Sequence, residues 1–409
     1  MGARSLSSPA MYLLRRLAFL VALLLVACSS EEPSEKPPVD EPEPPVPVGE
    51  WQTFEPGGDT ICSHGTPYSF FVRGGATDKI ILDFRGGGAC WDTFTCTAGA
   101  GAIYAEEVDD LSVLEGALGK RGFGGIYDAD NPEYPFQGWT LVHIPYCTAD
   151  IHWGDNVADY GSFSINHKGF VNASAVLDWV YENYPDPERI LVTGCSAGAY
   201  GAMFHSAYVA DHYPAAQIRV LGDSGAGIIT QTFFEDSFPN WNALANVPPQ
   251  VARLAKDPAD LTSADLYAGV ASTYPSHRFA HYSTNYDADQ TFFFEVMGGE
   301  AGTWPGSMRA RMQEVRSDAD NFRYFVAPGP VHCITPYEFM FSRVGDDPFV
   351  DWLTSFVYDD AIPADVACEG AACDTSPPCD RCAEQEANGE ELDRYCGFCK
   401  GWPEDYVMP

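Results

Sequence analysis

The feature that most restricts the fold of this chain is the pentapeptide G-C-S-A-G at residues 194–198. The apolar run at 189–193 before it indicates a buried strand, and the small residues that follow to about 210 indicate a helix. A serine with a glycine two residues before it and another two residues after it, at a strand-to-helix junction, is typical of a nucleophile elbow. The turn of such an elbow is too tight for side chains at the two glycine positions. In this setting the pentapeptide predicts that Ser196 is a nucleophile.

Strand-like and helix-like segments alternate along residues 51–366. Apolar runs predict strands at 79–84, 139–144, 189–193, 217–222, 278–283 and 322–327. Because helix-length segments separate these runs, we expect an α/β fold of the α/β-hydrolase type, with a mostly parallel sheet flanked by helices. Residues 234–276 carry no strand signal, and we expect them to form a cap insertion beside the active site.

The partners of a catalytic serine can be sought by their order along the chain. A hydroxyl is a poor nucleophile until a base takes its proton, and this fold supplies the groups in the order serine, acid, histidine. His332 lies late in the chain, after the last strand-like run, and is the predicted base. Asp287, in the loop after the run at 278–283, is the predicted acid, while Asp223 and Asp289 remain alternatives.

Acyl transfer by a serine also needs N–H donors for the oxyanion that develops on the carbonyl. The backbone N–H of Ala197, directly after the nucleophile, is one predicted donor. The glycine run at 86–88 follows an early strand, where this fold places further donors, so Gly87 and Gly88 are the others. A flexible glycine turn is the alternative interpretation of this run.

Five sequence blocks, in order between about residues 60 and 335, resemble the signatures of the pectin acetylesterase/Notum family. They are F-R-G-G-G-A-C at 84–90, P-Y-C-T-A-D at 145–150, G-C-S-A-G at 194–198, Y-D-A-D-Q at 286–290 and H-C at 332–333. The resemblance implies an α/β-hydrolase carboxylesterase that needs no metal and no organic cofactor, and it favours Asp287 over Asp223 as the acid. Ala89 stands where plant members of the family carry tryptophan, which leaves the acyl group open.

The N-terminus indicates export and lipid attachment. Two arginines precede an apolar run at 17–27, a pattern typical of a secretory signal peptide over residues 1–27. The segment L-V-A-C that ends at Cys28 resembles the lipobox of bacterial lipoproteins, so Cys28 is the predicted lipidation site; an ordinary cleaved signal is the alternative. Residues 28–50 are rich in proline and glutamate and are predicted to be a disordered tether. We therefore expect an exported bacterial lipoprotein at the cell envelope or surface, with the membrane as a partner through the lipid.

The thirteen cysteines suit an exported chain that forms disulfides. Cys195 and Cys333 flank the predicted nucleophile and base, so a bridge between them would hold the histidine loop against the elbow. The other possible pairs in the esterase domain (51–366) are Cys90–Cys96 and Cys62–Cys147. Six further cysteines lie in a C-terminal appendix (367–409), where three disulfides are expected and a zinc site is the alternative.

The 58 acidic and 23 basic residues give the chain a formal net charge of −35, which argues against nucleic acid as a partner. The combined features predict a serine carboxylesterase that hydrolyses O-acyl esters, with O-acetyl as the first expectation, on a carbohydrate through an acyl-enzyme. A feruloyl-type or longer-acyl carboxylesterase is the alternative among enzymes. A non-catalytic surface binding lipoprotein on the same scaffold is the alternative from another class. The polysaccharide and the oligomeric state stay open.

Overall fold

The computed structural model describes residues 44–97, 104–120, 122–342, 348–393 and 395–399. The predicted signal peptide, the predicted lipidation site Cys28 and most of the predicted tether lie outside these residues. The strands are β1 (Trp51–Phe54), β2 (Phe70–Arg73), β3 (Ala76–Phe84), β4 (Trp139–Ile144), β5 (Asn156–Asp159), β6 (Ser164–His167), β7 (Arg189–Cys195), β8 (Gln217–Asp223), β9 (Arg278–Thr284), β10 (Phe322–Ala327) and β11 (Val366–Ala367). The helices are α1 (Leu111–Ala117), α2 (Gly169–Asn183), α3 (Ala197–His212), α4 (Gln231–Trp241), α5 (Ser263–Thr273), α6 (Ala288–Val296), α7 (Trp304–Asp318), α8 (Phe349–Tyr358), α9 (Pro377–Asn388) and α10 (Cys396–Cys399).

Nine strands form one mixed sheet in the order β1-β2-β4-β3-β7-β8-β9-β10-β11, and β5 pairs with β6 in a separate sheet. The pairs β1–β2 and β2–β4 are antiparallel, whereas every pair from β4 to β11 is parallel. The predicted α/β fold, with a mostly parallel sheet and flanking helices, is therefore confirmed. Sequence reasoning missed β1, β2, β5, β6 and β11, which are too short to show a clear hydrophobic period.

Successive side chains of the central strands point to opposite faces of the sheet and enter two separate apolar cores. In β3, Ile80 and Leu82 belong to the core that also contains side chains of α2, α3, α5 and α7. Ile81, between them, belongs to the core that contains the apolar face of α8. Because both faces of the sheet are covered, its central strands carry apolar residues at successive positions rather than in alternating patterns.

The segment predicted to form a cap, 234–276, contains most of α4, three short 3₁₀ turns and α5, and no strand. α5 begins with a capping box in which Asp265 accepts a hydrogen bond from the Thr262 backbone N–H at 2.8 Å. Most residues of α5 are buried, and they contribute to the same core as α3 and α7. No helix in the described ranges has the length and apolar character required to cross a membrane.

Six disulfides link the described cysteines. They are Cys62–Cys147, Cys90–Cys96, Cys195–Cys333, Cys368–Cys373, Cys379–Cys399 and Cys382–Cys396. The first three are the pairs predicted for the esterase domain. The other three lie in the appendix, where disulfides and not a zinc site account for the six cysteines.

Candidate active site

Ser196 occupies a strained turn between β7 and α3. Its backbone has φ 59° and ψ −124°, a conformation that non-glycine residues rarely adopt and that costs on the order of 1–3 kcal/mol. A Cβ atom on Gly194 would overlap the carbonyl oxygen of Gly198, and one on Gly198 would overlap the carbonyl oxygen of Phe84. The two glycines are therefore required, because the backbone at Gly194 lies against the backbone at Gly198, which in turn lies against the end of β3. This geometry is that of a nucleophile elbow.

His332 and Asp287 form a buried pair. Nδ1 of His332 lies 2.8 Å and 2.9 Å from the two carboxylate oxygens of Asp287, which is fully buried. Gln290, in the first turn of α6, donates its backbone N–H to one of these oxygens and its side-chain amide to the other, each at 2.9 Å. With Nδ1–H bound to the carboxylate, Nε2 is the nitrogen left to accept a proton. Nε2 is buried and has no hydrogen-bond partner within the described part of the chain.

Ser196 and His332 line the same pocket, which has a volume of about 60 Å³. Gly88 and Ala197, two of the predicted oxyanion donors, also line it. Gly87 instead lines a neighbouring cavity, and its carbonyl oxygen accepts a hydrogen bond from the Ala105 N–H at 2.9 Å. The remaining wall is mainly apolar and includes Ala89, Trp91, Ile151, Phe233, Phe293 and Trp304.

Asp223, the alternative acid, binds backbone instead of imidazole. Its buried carboxylate accepts hydrogen bonds from the N–H groups of Ile334 and Thr335, at 2.9 Å and 2.8 Å, and from the Thr335 hydroxyl at 2.6 Å. Burial raises the pKa of Asp223 to about 6, against the lowering effect of these donors. Asp223 therefore fixes the loop that carries His332, a role that its position at the end of β8 did not reveal.

The charges around His332 favour its protonated form. Burial alone would lower the pKa of His332, but the negative charges of Asp287 and Asp289 and the hydrogen bond to Asp287 outweigh it and raise the pKa to about 9. Asp289 contributes from the other side of the ring, since its carboxylate lies 3.9 Å from Nε2. Asp289 is thus a second acidic neighbour of the imidazole rather than the acid bound to Nδ1.

The glycine run before the site is held by buried histidines. Nε2 of His152 lies 2.9 Å from the Arg85 carbonyl oxygen, and Nε2 of His205 lies 2.8 Å from the His152 carbonyl oxygen. Burial lowers the pKa of His152 to about 3 and that of His205 to about 4, so both rings are neutral donors. His205, on α3, is therefore structural.

The C-terminal appendix contacts the histidine loop. The ring of Phe398 lies 5.9 Å from the ring of His332, and Tyr395 packs with Val331 in a small apolar cluster. On the other side of the loop, the Gly329 N–H donates to the Cys373 carbonyl oxygen at 3.0 Å. Sequence reasoning missed these contacts because the appendix shares no motif with the blocks that mark the site.

Comparison with known proteins supports the motif blocks. Residues 56–245 match the model of the family described as pectinacetylesterase. The chain is similar to pectin acetylesterase 5 of Arabidopsis thaliana, with 25% identity over 155 residues, which cover 37% of this chain and 35% of the relative. Pectin acetylesterase 11 of the same plant is 24% identical over 170 residues, covering 40% of this chain and 42% of the relative. These matches confirm the predicted resemblance to the pectin acetylesterase/Notum family.

The alignments cover only part of this chain and of its relatives. They span less than half the length of these curated relatives. The segment that matches the family model contains the glycine run and Ser196 but ends before Asp287 and His332. The assignment of these two side chains therefore depends on the geometry described above.

Proposed function

We propose that this chain, whose residues 56–245 match the pectinacetylesterase family, is a serine carboxylesterase of the α/β-hydrolase type acting on an acylated carbohydrate. The observation that carries the proposal is that Ser196 and His332 line one pocket while Nδ1 of His332 is bound to the buried carboxylate of Asp287. A nucleophile, a base and a group that orients the base are the parts that acyl transfer to serine requires.

In the proposed reaction, the Ser196 oxygen attacks the ester carbonyl carbon while Nε2 of His332 takes the hydroxyl proton. Backbone N–H groups of Gly88 and Ala197, with Gly87 as the third candidate, stabilise the oxyanion. His332 then gives its proton to the departing sugar oxygen, which leaves an acyl-enzyme. Water attacks the acyl carbon and gives a proton to His332. The bond between this carbon and the Ser196 oxygen then breaks, His332 returns the proton to that oxygen, and the carboxylic acid leaves. Asp287 keeps the imidazole in the required tautomer throughout.

The size of the pocket favours a short acyl group such as acetyl. One water molecule needs about 10–15 Å³ of cavity volume on this measure, so a pocket of about 60 Å³ has room for a small group of a few heavy atoms. Trp91, Ile151 and Phe233 line it with apolar side chains. A feruloyl group is several times larger than acetyl and requires these walls to move, so O-acetyl esters are the first proposed substrates and feruloyl or longer acyl esters the alternative.

The test is acetate release from a panel of acetylated glycans by the wild-type protein and by Ser196→Ala. Ser317→Ala, which changes an exposed serine on α7, is the matched control. We expect release by the wild type and by the control, and none by Ser196→Ala. A series of p-nitrophenyl esters of increasing chain length separates acetyl from longer acyl preference. Fluorophosphonate labelling separates the esterase from the non-catalytic binding lipoprotein: an active enzyme becomes labelled at Ser196, whereas an inert scaffold stays unlabelled.

We also propose that the protein is exported and anchored at the cell envelope through a lipid on Cys28. The supporting observations are the apolar run that ends at this cysteine and the disulfides, which form in oxidising compartments. An acylated cell-surface carbohydrate or an external polysaccharide would then be within reach of the enzyme.

A further inference from the structure

A second cavity lies at the end of the sheet opposite the candidate active site. Ser196 follows the C-terminal end of β7, whereas this cavity contains Arg189, the first residue of β7. Seven-residue parallel strands such as β7 separate their two ends by about 20 Å. The cavity has a volume of about 410 Å³, and its lining includes Arg189, Arg219 and Arg278 together with Gln217, His277, Tyr358, Asp359 and Asp360.

The three arginines are close to one another in a strongly acidic protein. Arg219 and Arg278 are cross-strand partners on β8 and β9, and like charges at such positions destabilise a sheet. Both are more than nine-tenths buried, at 7% and 8% exposure. Burial, together with the charges of Arg278 and Arg189, lowers the pKa of Arg219 to about 10. A cluster of this kind costs free energy unless a negative group compensates it.

The protein supplies only part of that compensation. Backbone carbonyl oxygens of Phe356, Asp359 and Asp360 accept hydrogen bonds from Arg278. Arg189 and Arg219 share the side-chain oxygen of Gln217, at 3.1 Å and 3.4 Å. The Nε atoms of Arg189 and Arg219 are buried and have no hydrogen-bond partner among the described residues.

The acidic groups nearby are exposed to solvent. The Glu188 carboxylate, 4.0 Å from Arg189, has a side chain that is 59% exposed. Asp359 and Asp360, which also line the cavity, are exposed as well. Arg278 donates its hydrogen bonds to their backbone carbonyl oxygens, and their carboxylates act on it through charge alone. Solvent screens such charges, so they offset the buried guanidinium groups only weakly.

We propose that this cavity binds an oxyanion with at least two oxygens, held by the guanidinium groups of Arg189 and Arg219, which line it. A guanidinium group presents its donors as a planar fork that fits carboxylate, sulfate and phosphate. The ring of Tyr358, 5.1 Å from the Arg189 guanidinium carbon, holds that fork in place. The cavity also has room for an oxyanion carried on a sugar ring. The site is separate from the pocket of Ser196, and the proposal does not depend on the esterase activity.

The test is thermal unfolding of the full chain during titration with sodium sulfate, phosphate, acetate and glucuronate, against sodium chloride at equal ionic strength. Because sulfate and phosphate stabilise many proteins without binding, the comparison is with variants. Arg219→Gln removes one donor set, and Arg189→Lys keeps the charge but removes the fork. Arg311→Gln, which changes an arginine paired with Glu314 on α7, is the control.

We expect a saturable rise in Tm for the wild type and for Arg311→Gln with at least one oxyanion. The half-saturating concentration should increase roughly tenfold or more in Arg189→Lys and Arg219→Gln. A response to acetate and glucuronate identifies a carboxylate ligand, whereas a response to sulfate or phosphate alone identifies a tetrahedral one. A rise that does not saturate, or that is equal in all four proteins, overturns the proposal. Arg189→Lys decides the question if Arg219→Gln does not fold.

Discussion

Replacement of Asp289 by asparagine should increase esterase activity at neutral pH. The proposed base must be neutral to take a proton from Ser196, and the raised pKa of His332, about 9, keeps most molecules protonated at pH 7. Asp289 contributes to this rise from 3.9 Å. Removing its charge should therefore lower the pKa of His332 and move the acidic limb of the pH–rate profile to lower pH.

The size of this effect follows from the distance. Two unit charges 3.9 Å apart interact by about 1 kcal/mol in water and about 4 kcal/mol at an effective dielectric constant near 20. The Asp289 side chain is 46% exposed, which places the interaction towards the lower value, at roughly 1.5 kcal/mol. That corresponds to about one pH unit, or about a tenfold gain in kcat/KM at pH 7, with little change well above pH 9.

The assay is kcat/KM for p-nitrophenyl acetate from about pH 5 to pH 10, corrected for spontaneous hydrolysis. Asp320→Asn, which removes an exposed carboxylate between α7 and β10, should leave the profile unchanged. An acidic limb that stays in place in Asp289→Asn, or moves to higher pH, would refute the electrostatic argument. A fall in activity at every pH would instead assign Asp289 to substrate binding.

Further outcomes test the remaining parts of the site and the anchor. Ser196→Ala should abolish acetate release and leave Tm within about 1 °C of wild type, because the half-buried hydroxyl makes no hydrogen bond to any other described residue. Asp223→Asn should lower both Tm and kcat, since its amide would face donors that now bind a carboxylate, at a cost of about 1–3 kcal/mol measured by denaturant unfolding. Replacing Cys195 and Cys333 together by alanine should lower Tm and kcat through a looser histidine loop, with up to ~4–5 kcal/mol lost in the chain-entropy model. Mass spectrometry of exported protein should find acylation on Cys28, and an unmodified N-terminus beyond this residue would contradict the lipid anchor.

The parts of this structure that the sequence predicted are those with strong local signals. The central strands β3, β4, β7, β8, β9 and β10 are long and apolar because both faces of the sheet are covered, so their runs stand out. The elbow at Ser196 was predictable for a different reason, since its glycines are required by a backbone crossing that few other sequences satisfy.

The parts that sequence reasoning missed depend on contacts between distant segments. Asp223 is 111 and 112 residues away from the N–H groups it binds, and the Y-D-x-x-Q motif alone did not show that Gln290 would donate to the acid. The arginines of the second cavity are similarly spread over β7, β8 and β9, and only the register of the sheet brings them together. Single residues of this kind leave no periodic pattern in the sequence.

The proposed base, His332, lies on a loop, and several contacts fix this loop so that the imidazole keeps its position beside two acidic side chains. The buried carboxylate of Asp223 binds one side of it, and the Cys195–Cys333 disulfide ties it to the elbow. The Thr284 hydroxyl donates to the Val331 carbonyl oxygen at 3.0 Å, and the appendix packs against its outer face. Because these anchors act on different residues of one short segment, loss of one should loosen the His332 ring without unfolding the domain. Loss of each anchor should therefore lower activity as well as Tm, and because the anchors hold one segment, the effects of combined losses should not be the sum of the single ones.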